Sequence, residues 1–249
     1  DLYNLFSDPT SPLIPSENRY EIDERVTHDG IIVKKIDPDQ VTALIPVLKA
    51  NNISSVAVCL LFSFVHPEHE QFIGERLRST GFLVSLSSEI LPEFREYERA
   101  STTVVNAYVS PVLDGYLSRL EKFLPPQTHL RIMQSNGGNI SPTEARKFGV
   151  RCILSGPAGG VVGCEYLGKL IAPGGDFRLI GFDMGGTSTD VCLLDGKTQI
   201  TTEAVISGYP LHIPVLDIHT IGAGGGSIAS IDSGGALRVG PESAGADPG

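Results

Sequence analysis

The chain has 249 residues, 41% hydrophobic and 19% charged, with 28 Gly and 17 Pro; that length buries a sizeable core and excludes a peptide scaffold, and the composition is globular and turn-rich, not disordered. A formal net charge of -10 argues against nucleic-acid or anionic-membrane partners, which need a basic surface. The longest apolar run, Val56 to Phe62, is far short of the roughly 20 residues that span a bilayer, so no membrane association is expected.

The four cysteines, Cys59, Cys152, Cys164 and Cys192, are widely spaced and form no Cys-x-x-Cys pair. They read as reduced thiols in a cytoplasmic protein. The sequence opens on Asp1 and closes on the Gly/Pro stretch Ala244 to Gly249, and both ends read as cuts through a longer polypeptide.

Pro9, Pro12 and Pro15 mark residues 1–26 as a linker or lead-in segment. Asp37-Pro38 starts a helix with Val41, Leu44, Ile45 and Leu48 at helical spacing, stopped by Asn51-Asn52 before a buried strand, Val56 to Phe62. A second helix from Pro67, ended by Gly81, leads to a strand from Phe82 to Leu86. From Tyr97 to Phe123 the apolar spacing fits one long helix or two bent near Pro111. Leu130 to Met133 reads as a strand, Asn136-Gly137-Gly138 as a turn, Pro142 to Phe148 as a helix and Val150 to Leu154 as another strand. Residues 27–174 therefore form a first α/β lobe.

A second lobe, 175–249, begins with strand-like Arg178 to Asp183 and Ser188 to Leu194. Asp195-Gly196 offers a two-residue hairpin turn before a third strand, Gln199 to Ile206. A Gly-rich loop, Gly222 to Gly226, precedes a hairpin of Ser227 to Asp232 and Ala236 to Val239.

The densest chemistry lies in Gly181-Phe182-Asp183-Met184-Gly185-Gly186-Thr187-Ser188-Thr189-Asp190-Val191. Glycines let a phosphate approach the backbone, and successive N–H groups with Thr hydroxyls bind its oxygens. Asp183 and Asp190 would repel phosphate directly, but a carboxylate beside it is useful when Mg²⁺ or its waters lie between them. A plain hairpin needs Gly at its turn, but not two Asp and two Thr around two Gly. Just upstream, Leu154 to Gly163 reads as a strand end, a tight turn and a small-residue helix begun by Pro157. Strand, small-residue helix, then strand-turn-strand is the order at the domain crossover of actin-like ATPases, which have a ribonuclease H-like α/β fold.

Met133-Gln134-Ser135-Asn136-Gly137-Gly138, Ser155-Gly156-Pro157-Ala158-Gly159-Gly160, Asp183 to Asp190 and Thr220-Ile221-Gly222-Ala223-Gly224-Gly225-Gly226-Ser227 occur in that order. So do Glu96-Tyr97-Glu98-Arg99 and the closing Arg238 to Gly245. Together they resemble the hydantoinase A/5-oxoprolinase family of the actin-like ATPase superfamily from about residue 20 onward. The resemblance implies ATP-dependent opening of a cyclic amide such as 5-oxoproline or a hydantoin. Transfer of phosphate to the carbonyl oxygen would make an imidate-like intermediate open to attack. It also implies ATP and Mg²⁺, a hydantoinase B-like subunit or domain, and an oligomeric assembly. Gly185, Gly186, Thr187 and Thr189 would hold phosphate, with Gly224, Gly225 and Gly226 beside the nucleotide. Asp183 would orient Mg²⁺-bound water, and Asp190 would do likewise or act as a base. Family members carry another Gly-Gly-Thr hairpin in the first domain, and none precedes Asp1, so the chain is expected to hold one jaw of the nucleotide clamp and to hydrolyse ATP poorly alone.

Two alternatives remain open: a subunit of an ATP-dependent ketone carboxylase, and a non-catalytic actin-like nucleotide switch. Asp217 and His219, flanking the Gly loop, are read either as substrate or metal residues or as strand-edge groups bonded to nearby loop backbone. Arg99, with Glu93, Arg95, Glu96 and Glu98, either lines a substrate cleft or belongs to a structural ion-pair cluster. His66-Pro67-Glu68-His69-Glu70 reads as a helix start in preference to a metal site.

Overall fold

The computed structural model describes residues 12–206 and 208–245; residues 1–11 of the expected lead-in and 246–249 of the closing stretch lie outside them. In chain order the elements are β1 (Arg25–Val26), β2 (Ile32–Lys34), α1 (Pro38–Ala50), β3 (Ser55–Val58), α2 (Glu68–Arg78), β4 (Leu83–Leu86), α3 (Ser87–Ile90), α4 (Glu96–Phe123), β5 (Ile132–Met133), β6 (Asn139–Ile140), α5 (Pro142–Lys147) and α6 (Ser155–Ile171). Seven strands follow: β7 (Arg178–Met184), β8 (Thr189–Asp195), β9 (Ile200–Ile206), β10 (Tyr209–Leu216), β11 (His219–Ile221), β12 (Ser227–Ile231) and β13 (Leu237–Ser243).

The chain packs as two units, and neither is contiguous in sequence. Among the described residues the first comprises 12–130, 142–150, 202–206 and 208–213, the second 131–141, 151–201 and 214–245. The expected single boundary near residue 174 is corrected accordingly. Helix α6, read from sequence as part of the first lobe, shares a core with β7 and β8, in which Ala158 and Val161 pack with Phe177, Cys192 and Leu194.

In the first unit, β3 and β4 pair in parallel through the α2 crossover, with Val56 opposite Val84 and Val58 opposite Leu86. Val41 and Leu48 of α1 and Ile73 and Leu77 of α2 join Val58, Phe82 and Leu86 in its core. Asp37 caps α1 by accepting from the Asp39 N–H, and Pro38 occupies the first helical position. After α2 the chain turns at Gly81, whose φ is +96°. Helix α4 runs unbroken through Pro111.

Strand β3 ends at Val58, four residues before the expected Phe62. Buried polar groups take over its backbone: Leu60 N–H donates to the Glu70 carboxylate and Leu60 C=O accepts from Arg99, so the ladder cannot continue. Val150 to Leu154 is not a strand. Gly149–Cys152 is a 3-10 turn, with Val150 fully buried and its N–H donated to Asn106. A short apolar run has the same pattern in a buried turn as in a buried strand.

In the second unit β11, β8 and β7 form an antiparallel three-stranded sheet in that order. The Asp195-Gly196 turn does not pair β8 with β9. Gly196 N–H instead closes on Phe177 C=O and Thr198 N–H goes to Glu165; β9 pairs with β10, a strand not expected from the sequence, and most of both strands belongs to the first unit. β12 and β13 form the expected hairpin. Among the described residues no helix is long and apolar enough to cross a membrane.

Candidate phosphate-binding site

The β7–β8 hairpin holds Asp183 directly opposite Asp190 and Met184 opposite Thr189. Strand alternation puts both carboxylates on the sheet face that also carries Gly181, Cys192 and Leu194, all buried. That face packs on α6. Its small residues allow the approach: a Cβ at Gly160 would stand 3.9 Å from Asp183 Oδ2, and one at Gly168 would stand 2.6 Å from the Phe177 ring.

Between the strands, Gly185 N–H donates to Ser188 C=O at 2.9 Å and closes the turn. Asp183, Gly185, Gly186 and Thr187 are exposed. The N–H groups of Gly186 and Thr187 and the Thr187 hydroxyl make no hydrogen bond among the described residues. The turn thus presents unspent donors to solvent, flanked by two carboxylates, which suits an anion accompanied by a cation.

The second Gly-rich loop is seated on this turn. β11 pairs with β8, bringing Thr220 opposite Asp190 and Ile221 opposite Thr189. The loop that follows then donates Gly225 N–H to Gly185 C=O (2.9 Å) and Gly226 N–H to Gly186 C=O (2.7 Å). Thr189 Oγ1 donates to Ala223 C=O at 2.6 Å, and Gly224 N–H to Ser227 Oγ at 2.8 Å. The amides of Gly224, Gly225 and Gly226 are thereby occupied. Gly224 needs its missing side chain, since a Cβ there would lie 2.5 Å from Gly185 O.

Other residues singled out from sequence lie elsewhere. Asp217, between β10 and β11, is exposed and its N–H donates to Gln199 C=O. His219 is exposed, opposite Val191, so it occupies the sheet face away from Asp183 and Asp190. Arg99, in the first unit, is 0% exposed. Its Nη1 donates to Ser63 Oγ (3.0 Å) and its Nη2 to Leu60 C=O (2.8 Å), with the guanidinium 5.2 Å from the Phe64 ring centroid. Ser63 meets Ser87, which donates to the fully buried Glu70. This placement supports the structural reading of Arg99. Its neighbours Glu93 and Arg95 lie at the partly exposed rim, Glu93 3.6 Å from His212 Nε2 and Arg95 4.0 Å from Glu98.

His69 pairs with Glu24 and His66 with Glu68 at the start of α2, and no group of three metal-ligating side chains occurs among the described residues. A cavity of about 300 Å³ in the second unit is lined by Asn136, Gly137, Val162, Glu165, Tyr166, Lys169 and Thr198, away from the phosphate turn.

Residues 99–249 match the family model for hydantoinase/oxoprolinase, and residues 1–81 that of its N-terminal region. The chain belongs to the hydantoinase/oxoprolinase family. It is 40% identical to the 5-oxoprolinase of Saccharomyces cerevisiae, over all of this chain and 21% of the yeast protein. It is 37% identical to caprolactamase subunit alpha of Pseudomonas jessenii, over 99% of this chain and 36% of the relative. The crystal structure of that ATP-dependent caprolactamase superposes with a TM-score of 0.82 at 35% identity, covering 99% of this chain and 36% of the other. A nucleotide-free acetone carboxylase superposes with a TM-score of 0.75 at 30% identity, covering 96% of this chain and 34% of the other. The chain thus spans between about a fifth and two fifths of these relatives. The α/β, actin-like fold expected from the motifs is the fold it has.

Two features of the site were not anticipated. The polar residue Thr220 reaches Asp190, its Oγ1 donating to Asp190 Oδ1 at 2.6 Å. The Gly loop packs on the turn instead of standing apart from it. A hydroxyl residue on a strand leading into a glycine run was the available signal.

Proposed function

We propose that this chain supplies a phosphate-binding turn of an enzyme that opens a cyclic amide, of the 5-oxoproline, hydantoin or lactam kind, with hydrolysis of ATP. The observation that carries this reading is the exposed turn at Gly186 and Thr187, whose free N–H groups sit between the opposed carboxylates of Asp183 and Asp190. The 5-oxoprolinase and caprolactamase relatives support the amide as substrate.

On this reading Gly186 and Thr187 bind phosphate oxygens through their N–H groups, helped by the Thr187 hydroxyl. Gly185 and Thr189, whose donors are used internally, shape the turn. Two carboxylates beside an anion seat, with no third protein ligand among the described residues, fit Mg²⁺, which keeps most of its waters. Asp183 and Asp190 would hold it through water, and it would supply neutralising charge for the phosphate oxygens. Asp190, with Oδ2 unbonded, can also accept a proton from an attacking water. The caprolactamase relative is an alpha subunit, which supports a hydantoinase B-like partner in an oligomeric enzyme, and four free cysteines suit a reducing, cytoplasmic setting.

The likeness to acetone carboxylase supports a second reading, phosphorylation of a ketone. The test is ATP hydrolysis by the full-length protein with 5-oxoproline, hydantoins, caprolactam and small ketones. Stimulation by a cyclic amide is expected. Stimulation by ketones alone would assign a carboxylase, and none by either class would leave a nucleotide switch.

A further inference from the structure

The geometry assigns Thr220 as the residue that positions the Asp190 carboxylate, with the Gly222 to Ser227 loop as its mount. The inference rests on the proposed role of Asp190 at a phosphate site. Four hydrogen bonds tie the segment from β11 onward to the hairpin. Thr220 Oγ1 donates to Asp190 Oδ1 at 2.6 Å from the directly opposite register position. Thr189 Oγ1 donates to Ala223 C=O. The amides of Gly225 and Gly226 take the carbonyls of Gly185 and Gly186.

A carboxylate on a strand end has two soft torsions and no reason to hold one orientation in water. A hydroxyl fixed on a paired neighbouring strand removes that freedom for one oxygen, and leaves Oδ2 to face the ligand. The Gly loop fixes the strand in turn, since its amides are spent on the turn's carbonyls. Threonine suits the task because its β-branch restricts χ1 on a strand. The arrangement acts on reaction geometry: an orienting contact that is 1 Å out costs rate far more than binding.

The test uses Thr220→Val, which keeps shape and removes the hydroxyl, and Thr220→Ser, which keeps the hydroxyl. Two readouts are taken. In the chain labelled with ¹³C at Asp side chains, the Asp190 carboxyl resonance should move in Thr220→Val and return towards its position in Thr220→Ser. In the full-length protein, Thr220→Val should lower kcat about tenfold or more with KM for ATP changed less than twofold, and Thr220→Ser should recover most of the rate. An unmoved Asp190 resonance overturns the inference. So does a moved resonance with unchanged kcat, or an equal loss in both variants. Asp190→Asn separates this from the functional reading. If it cuts turnover while Thr220→Val does not, only the positioning role fails; if it leaves turnover intact, the proposed role of Asp190 fails with it.

Discussion

Gly181 on β7 and Cys192 on β8 are opposite each other, and the cysteine sulfur fills the space that a side chain at 181 would need. A Cβ there would stand 2.5 Å from Cys192 Sγ and 3.2 Å from Cys164 Sγ of α6. Helix and hairpin meet at that point, two register positions from Asp183.

Gly181→Ala should therefore overpack the α6–hairpin contact and destabilise the chain by about 1–3 kcal/mol. Cys192→Ala in the same background should recover part of that. Urea unfolding of the three variants checks it, and a neutral Gly181→Ala would show that the sulfurs shift freely.

Two glycines near the turn should behave in opposite ways. Gly186 has nothing within 4 Å of a would-be Cβ, whereas Gly224 would meet Gly185 O at 2.5 Å and Ser188 N at 2.8 Å. Gly186→Ala should keep the melting temperature within a few degrees, and Gly224→Ala should lower it and weaken nucleotide binding by displacing the turn. Calorimetric titration with ADP and thermal melts distinguish them.

The Lys169 ammonium and the Thr198 N–H hold the Glu165 carboxyl below the usual carboxylate range. A carboxyl depressed in the folded state adds stability that is complete above its unfolded value, about 4.3, and lost as pH falls through the lower folded one. Glu165→Gln should melt lower than the parent at pH 7, and the gap should close as pH falls through the depressed folded value. A gap independent of pH would mean that the contact is not electrostatic.

Arg99 should prove structural. Replacing it with Ala strips the guanidinium from Leu60 C=O and Ser63 Oγ and leaves those groups short of a donor in the interior, a loss of about 2 kcal/mol or more. Lys cannot reproduce the fork to Ser63 and Leu60 and should recover little. A variant of unchanged stability with a raised substrate KM would instead place Arg99 in a ligand site.

Much of the fold was legible because local signals coincide. The Asp37-Pro38 start, the spacing from Val41 to Leu48 and the Gly81 stop all name the same helix, and the glycine turn at 185–186 is flanked by alternating strand residues. The errors arose where distant residues decide. Strand β3 is cut short by Glu70 and Arg99, and Val150 owes its turn to Asn106, 44 residues earlier. Neither partner is visible in a short window. In the site, residue types gave the phosphate turn, but pairing decided the rest. Only the register of β11 on β8 shows that Thr220 meets Asp190, that His219 takes the opposite face, and that the second glycine run is seated on the first.

The turn from Gly185 to Ser188 lies at the surface, where chains ordinarily accept insertions. This one cannot. Pairing with β7 and β11 and burial of Cys192 and Leu194 pin the register of β8, so one added residue before Thr189 has to be taken up in the turn itself. The bulge would carry the Gly185 and Gly186 carbonyls away from the Gly225 and Gly226 amides that hold them. The length of this four-residue turn is therefore fixed by the loop seated on it, and divergence there is confined to exchange of side chains.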